Sequence, residues 1–81
     1  MYMEQIRSLL TEHGHLLVDA GTLKEESCLY EAGLTSLNTV SLMLAIEEHF
    51  DVEFPDRMLG RTTFGSIRAL SKAVQELRST P

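Results

Sequence analysis

The sequence predicts an all-α fold: a small four-helix bundle with a long connection between the first two helices and a short third helix. Apolar side chains recur at the three- and four-residue spacing of amphipathic helices in several separate segments. No stretch alternates apolar and polar residues between turns, as paired strands do. With 81 residues, 43% of them hydrophobic, we expect one domain, residues 1–81, around one modest core.

The first helix is predicted over about residues 2–13. Ile6, Leu9 and Leu10 fall on one stripe at helical spacing, which is typical of a helix that faces a core on one side. Gly14 directly follows the last of these turns, and glycine is a common residue where helices end. We therefore expect the helix to stop there.

The connection between the first and second helices, residues 14–35, is long for a bundle. A short helical turn is expected near residues 27–30, and Cys28 is interpreted as a small filler of the core. Apolar residues recur along the whole segment and should attach it to the core at intervals: Leu16, Leu17, Val18, Leu23, Leu29 and Leu34.

The second helix is predicted from Ser36 to about Phe50 and has two apolar sides. The side that should face the core carries Thr39, Leu42, Met43, Ile46 and Phe50. The opposite side carries Leu37, Val40, Ser41, Leu44 and Glu48. Burial on all sides is one explanation, but the other helices are too few and Glu48 would be buried unpaired. We interpret the opposite side as a docking surface with an acidic rim.

The last part of the chain predicts a short third helix, capped by Asp56 and closed by Gly60. A fourth helix is expected over about residues 64–77, with Thr63 as its N-cap. We expect residues 78–81 to be a frayed tail. The apolar stripe of the fourth helix consists of Ile67, Leu70, Val74 and Leu77.

Composition and charge exclude several classes of protein. The formal net charge of −5 argues against nucleic acid as a partner, because phosphate binding needs clustered Lys and Arg. The one cysteine does not allow an internal disulfide. No leader opens the sequence and no apolar run is long enough to span a membrane, so we expect a cytoplasmic protein without membrane insertion. We also expect it to be a monomer.

Ser36, at the start of the second helix, allows three interpretations. A serine there is most often an N-cap, whose oxygen accepts a free backbone N–H. A hydrolase nucleophile would need a nearby base, but His49 lies most of the helix away and no G-x-S-x-G elbow is present. The third interpretation is an attachment point, because the positive end of a helix favours a bound phosphate.

The run from Leu29 to Asp56, LYEAGLTSLNTVSLMLAIEEHFDVEFPD, resembles the acyl carrier protein family. It contains that family's Gly-x-x-Ser-Leu motif, the following helix, and the Pro-Asp pair before the short third helix. The fourth helix aligns as well. The resemblance implies an acyl-carrier type of four-helix bundle without catalytic activity of its own.

The resemblance also implies a cofactor and partners. Ser36 would carry 4′-phosphopantetheine donated by coenzyme A, attached by a phosphopantetheinyl transferase that supplies the metal and the base. The arm would hold acyl or aminoacyl groups as thioesters. An acyl or amino acid ligase and a downstream transferase or synthase would be the other partners. The residues expected to contact partners are Thr35, Leu37, Val40, Ser41, Leu44, Glu47, Glu48 and Arg57.

Departures from the fatty-acid carriers concern charge. Thr35 replaces their usual aspartate before the serine, Asn38 and Ser41 stand where acids are frequent, and Arg57 and Arg61 bring positive charge to an acidic region. The sequence is similar to freestanding carriers of the D-alanyl and aminoacyl types, which dedicated ligases load. A helical adaptor that binds partners through the same surface without a prosthetic group is the remaining alternative.

Overall fold

A computed structural model describes residues 2–14 and 16–79 of the chain. It contains three α-helices, α1 (Met3–His13), α2 (Ser36–Phe50) and α3 (Ile67–Ser79), and two short 3-10 turns, Ala20–Thr22 and Asp56–Met58. No strand occurs within these described ranges, which confirms the all-α prediction. The count of four helices is not confirmed, because the predicted third helix is a single 3-10 turn.

The core lies among the three helices and the connection that joins α1 to α2. α1 packs against both α2 and α3. The buried stripe of α1, Ile6, Leu9 and Leu10, is the one predicted. On α2, Leu42, Ile46 and Phe50 are buried as predicted, whereas Thr39 and Met43 are only partly buried. The fully buried large side chains come from all these segments: Ile6, Leu10, Leu29, Leu42, Ile46, Ile67, Leu70 and Val74.

The long connection is attached to α3 through its backbone. The N–H of Leu29 donates to the carbonyl of Gly65 (2.9 Å), and the N–H of Arg68 donates to the carbonyl of Glu25 (2.9 Å). The guanidinium of Arg68 also donates to the Glu25 carboxylate (3.0 Å). This bond, together with the nearby charge of Glu26, raises the pKa of Arg68. These contacts explain how a segment of this length is ordered.

Three residues of the connection differ from their predictions. Leu17 and Val18 are exposed, although we expected both to attach the segment to the core. The backbone N–H of Leu17 donates to the carbonyl of Ala32 (2.9 Å), so this part of the chain is held by its backbone rather than by its side chains. Cys28 is exposed as well, and its interpretation as a core filler was wrong.

The start of α3 also differs from the prediction, because the helix begins at Ile67 and Thr63 does not cap it. Ser66 performs the capping, since its hydroxyl accepts the N–H of Ala69 (3.1 Å). The carbonyl of Gly65 bonds to the connection instead of continuing a helix. Tertiary hydrogen bonds therefore delay the start of α3 by one turn.

The predicted cap of the short third helix was wrong, because Asp56 lies within its 3-10 turn and makes no side-chain capping bond. Near the end of the chain, Arg78 belongs to α3, and its guanidinium donates to the carbonyl of Phe50 (2.7 Å) at the end of α2. Thr80 and Pro81 lie outside the described residues, and the frayed tail stays a prediction.

Gly33 sits at a position that requires glycine. Its φ of +113° lies in a region that L side chains rarely adopt. A Cβ on Gly33 would also lie 2.8 Å from both the backbone nitrogen and Cγ of Leu17. This turn leads directly into α2, so glycine is needed here to bring the chain to Ser36 in the observed direction.

Replacement of Gly33 by alanine is expected to lower the free energy of unfolding by about 1–3 kcal/mol, because the backbone would be strained. Gly60→Ala is the matched control, since nothing lies within 4 Å of a Cβ there. We expect it to change stability by less than about 0.5 kcal/mol. Urea unfolding followed by circular dichroism measures both, and equal effects of the two variants would contradict the assignment.

Candidate functional site

The start of α2 is capped by Thr35 rather than by Ser36. The hydroxyl of Thr35 accepts the N–H of Asn38 (3.1 Å), and its carbonyl accepts both the N–H and the hydroxyl of Thr39 (2.8 and 2.7 Å). The N-cap interpretation of Ser36 was therefore wrong. Because Thr35 supplies the capping bond, the Ser36 hydroxyl is not used as the cap of α2.

Ser36 is the first residue of α2 and is exposed. Within residues 2–14 and 16–79, no group hydrogen-bonds its side chain. The first turn of α2 also contains no acidic residue that would repel an anion. The result is a free hydroxyl at the positive end of a helix, which is a favourable place for an attached phosphate.

One side of α2 is exposed along most of its length, as predicted. We call this side, formed by Leu37, Val40, Ser41, Leu44 and Glu48, the outer face. Leu37 is 77% exposed, Val40 51% and Leu44 54%, which excludes burial of α2 on all sides. Three large apolar side chains in one exposed row, next to a free hydroxyl, are typical of a surface that contacts other proteins.

Two of the residues expected to contact partners have intramolecular contacts away from the outer face. The carboxylate of Glu47 is partly buried and accepts the N–H of Phe54 (2.8 Å), which holds the chain as it leaves α2. The guanidinium of Arg57 lies 3.3 Å from the carboxylate of Glu76 on α3. The structure therefore brings Thr35, beside Ser36, close to the outer face, but it ties Glu47 and Arg57 to other segments.

A groove of about 470 Å³ opens beside the Ser36 hydroxyl. We call it the Ser36 groove. The side chains of Thr39, Val40 and Met43 line it on α2, and the rest of the lining comes from Tyr30 and the segment 59–64. No carboxylate or imidazole belongs to this lining. The sequence did not predict the groove, because Tyr30 and the segment 59–64 are brought to α2 only by tertiary packing.

These residues fit a phosphopantetheine group. The Ser36 hydroxyl is available for esterification, the helix N-terminus favours the phosphate, and the largely apolar Ser36 groove offers a surface for an extended arm. No histidine, aspartate or glutamate lines this groove. In the described part of the chain, no group of three His, Cys, Asp or Glu residues is placed to hold a metal ion.

None of the helices in the described ranges is long and apolar enough to cross a membrane.

Comparison with known proteins gives a consistent result. Residues 6–74 match the family described as "Phosphopantetheine attachment site". The chain is 47% identical over 70 residues to the aminoacyl carrier protein of Agrobacterium fabrum (strain C58 / ATCC 33970). The aligned region covers 86% of this chain and 84% of that relative.

Solved structures agree with the sequence matches. One similar chain comes from the crystal structure of an engineered Bradyrhizobium japonicum glycine:[carrier protein] ligase complexed with carrier protein from Agrobacterium tumefaciens and AMP. That chain is 45% identical to this protein, with a TM-score of 0.87, and the match covers 90% of this chain and 97% of that one. The holo acyl carrier protein of Nitrosomonas europaea is 27% identical, with a TM-score of 0.86 and 98% coverage of both chains. The chain thus belongs to the phosphopantetheine attachment site family of carrier proteins, as the motif around Ser36 predicted.

Proposed function

We propose that this protein carries aminoacyl groups as thioesters on a 4′-phosphopantetheine arm attached to Ser36. The observation that carries the proposal is the exposed Ser36 hydroxyl, which is left free because Thr35 caps α2. Family membership supports the cofactor, and the similarity to an aminoacyl carrier protein supports the cargo. The attached arm supplies a terminal thiol that holds the cargo.

In the attachment of the arm, this protein contributes one group, the hydroxyl of Ser36. Esterification needs a base that accepts the proton of the Ser36 hydroxyl, and no side chain of the Ser36 groove provides one. His49, near the other end of α2, is too far along the helix to serve. A separate phosphopantetheinyl transferase would therefore supply the base and the metal, with coenzyme A as donor. The new bond from the Ser36 oxygen to phosphorus would replace the phosphoanhydride bond of coenzyme A, and adenosine 3′,5′-bisphosphate would leave. We propose that the protein is a substrate and shuttle rather than an enzyme.

The outer face of α2 is the proposed contact for partner enzymes. Its apolar row lies within a few turns of Ser36, so one docked partner can reach both the face and the arm. Glu48 is exposed on the outer face, and Asp51 and Glu53 follow the end of α2. We therefore expect partners to present an apolar patch with basic residues around it. Thr35 belongs to this proposed surface, and contacts by Glu47 and Arg57 stay predictions.

The proposed partners act in order: the transferase, then an amino acid ligase, then a transferase or synthase that takes the cargo. The neutral residues Thr35, Asn38 and Ser41 give the start of α2 less negative charge than fatty-acid carriers have there. An acyl group is the alternative cargo, which the apolar lining of the Ser36 groove favours. We also propose that the protein works as a monomer in the cytoplasm, where its single cysteine would remain reduced.

Ser36→Ala is expected to abolish attachment of the arm. The wild-type protein, incubated with coenzyme A and a broad-specificity phosphopantetheinyl transferase, should gain the mass of one arm by intact mass spectrometry. Thr35→Ala is the companion variant: it should lose about 1 kcal/mol of stability, because the cap is removed, yet still be loaded to completion. A wild-type protein that gains no mass, or an S36A variant that does, would sink the proposal.

Leu44→Ser is expected to raise the KM of the ligase for the arm-bearing carrier by about tenfold, which corresponds to about 1.4 kcal/mol, without weakening the fold. Leu44 lies on the outer face and does not line the Ser36 groove, so the change leaves the lining of the groove intact. Val18→Ser is the matched control, since Val18 is exposed to a similar extent (46% against 54%) but lies outside α2. Equal KM values for the two variants would argue against docking on the outer face.

A further inference from the structure

Arg61 differs from the other arginines of the protein in its contacts. Each of the other four donates to, or pairs with, an oxygen atom: Arg7 with the carbonyl of Ala20, Arg57 with Glu76, Arg68 with Glu25, and Arg78 with the carbonyl of Phe50. Arg61 has no oxygen partner within residues 2–14 and 16–79. Its guanidinium instead lies over the ring of Tyr30, 3.9 Å from the centroid.

The stacked pair lies beside the attachment residue. Arg61, Tyr30 and Ser36 all line the Ser36 groove, and no carboxylate of the lining neutralises the guanidinium. Stacking on the ring restrains the long Arg61 side chain, so that less rotational freedom is lost when it binds a ligand. The N–H donors around the edge of the guanidinium are left free by this geometry. A restrained cation with unused donors thus lines the same groove as the free hydroxyl.

An anion would complete this arrangement. Esterification of Ser36 places a negatively charged phosphodiester at the mouth of the groove, and guanidinium groups bind phosphate oxygens through paired, charge-assisted hydrogen bonds. Among the described residues, no oxygen atom binds the Arg61 guanidinium before esterification. The remaining lining of the groove consists of Thr39, Gly60 and the apolar residues Val40, Met43, Leu59 and Phe64, and it offers no competing charge.

We propose that Arg61, restrained by Tyr30, binds the phosphodiester on Ser36 and thereby directs the arm along the Ser36 groove. This inference depends on the proposed attachment of phosphopantetheine at Ser36. Arg61 would be a positioning residue that holds the resting arm on the protein surface, and a docked partner would take the arm from this contact. Because the guanidinium is exposed, the contact should weaken as salt concentration rises.

The test compares four proteins that all carry the phosphopantetheine arm: the wild type, Arg61→Gln, Arg61→Lys and Lys72→Gln. Lys72 is exposed on α3 and does not line the groove, so its replacement removes the same charge at a distant place. Intact mass first establishes that each variant carries one arm. The readouts are the phosphorus NMR resonance of the phosphodiester and, in the wild type, the Nε–H resonance of Arg61 before and after loading.

We expect loading to shift the Arg61 Nε–H resonance of the wild type. In Arg61→Gln, the phosphorus resonance should move most of the way to its position in the urea-unfolded loaded protein, whereas in Lys72→Gln it should stay at the wild-type value. Arg61→Lys should lie between, because lysine keeps the charge but not the planar pair of donors. Added salt should move the wild-type resonance in the direction of the Arg61→Gln value.

Identical phosphorus resonances in the wild type and Arg61→Gln, with an unmoved Nε–H signal, would overturn the inference while leaving the proposed function intact. The same result with a raised ligase KM for Arg61→Gln would overturn it as well, and would assign Arg61 to partner contact. A wild-type protein that gains no arm would remove both proposals together. The mass measurement therefore distinguishes the two failures.

Discussion

The hydrogen bond from the Asn38 N–H to the Thr35 hydroxyl is the interaction that stabilises the start of α2, from which the Ser36 hydroxyl is presented. A helix start leaves backbone N–H groups without partners, and a nearby hydroxyl normally satisfies one of them. Since Thr35 does this, the adjacent Ser36 keeps its hydroxyl free at the positive end of α2. The left-handed turn at Gly33 brings the chain to this point. Thr35 and Gly33 thus shape the attachment site, although neither of them is expected to carry the arm.

A second requirement is that α2 remain uncovered on one side. Its inner stripe packs into the core with α1, while the long connection contributes buried residues such as Leu29 and Leu34 without crossing the outer face. The end of α2 is held by contacts that lie elsewhere: Glu47 binds the N–H of Phe54, and Arg78 binds the carbonyl of Phe50. The helix is therefore fixed at both ends while Leu37, Val40 and Leu44 stay exposed.

The sequence predicted what depends on local spacing and missed what depends on tertiary contacts. The ends of α1 and α2 were predicted to within a residue, because apolar stripes and Gly14 are local signals. The start of α3 was missed, since Ser66 and the bonds from the connection decide it. Asp56 makes no side-chain capping bond in its 3-10 turn, although an aspartate at such a position is a local cap signal.

The candidate site was predicted through its motif rather than through its geometry. The sequence pattern excluded a hydrolase nucleophile and left two interpretations of Ser36 open, an N-cap and an attachment point, and the resemblance to carrier proteins selected the second. The capping role of Thr35 was not recognised, although a threonine before a helix is itself an N-cap signal. The stacking of Arg61 on Tyr30 could not be predicted from the sequence, because it joins two segments that are distant along the chain.

The central claim is that the outer face of α2 and the start of that helix are open to solvent in the free protein. Relaxation of side-chain methyl protons by a soluble paramagnetic probe tests this most directly. We predict strong relaxation at Leu37, Val40 and Leu44, and weak relaxation at the buried Leu42 and Ile46. If Leu37, Val40 and Leu44 relaxed as weakly as Leu42 and Ile46, the outer face would be covered in the free protein, which would contradict the account.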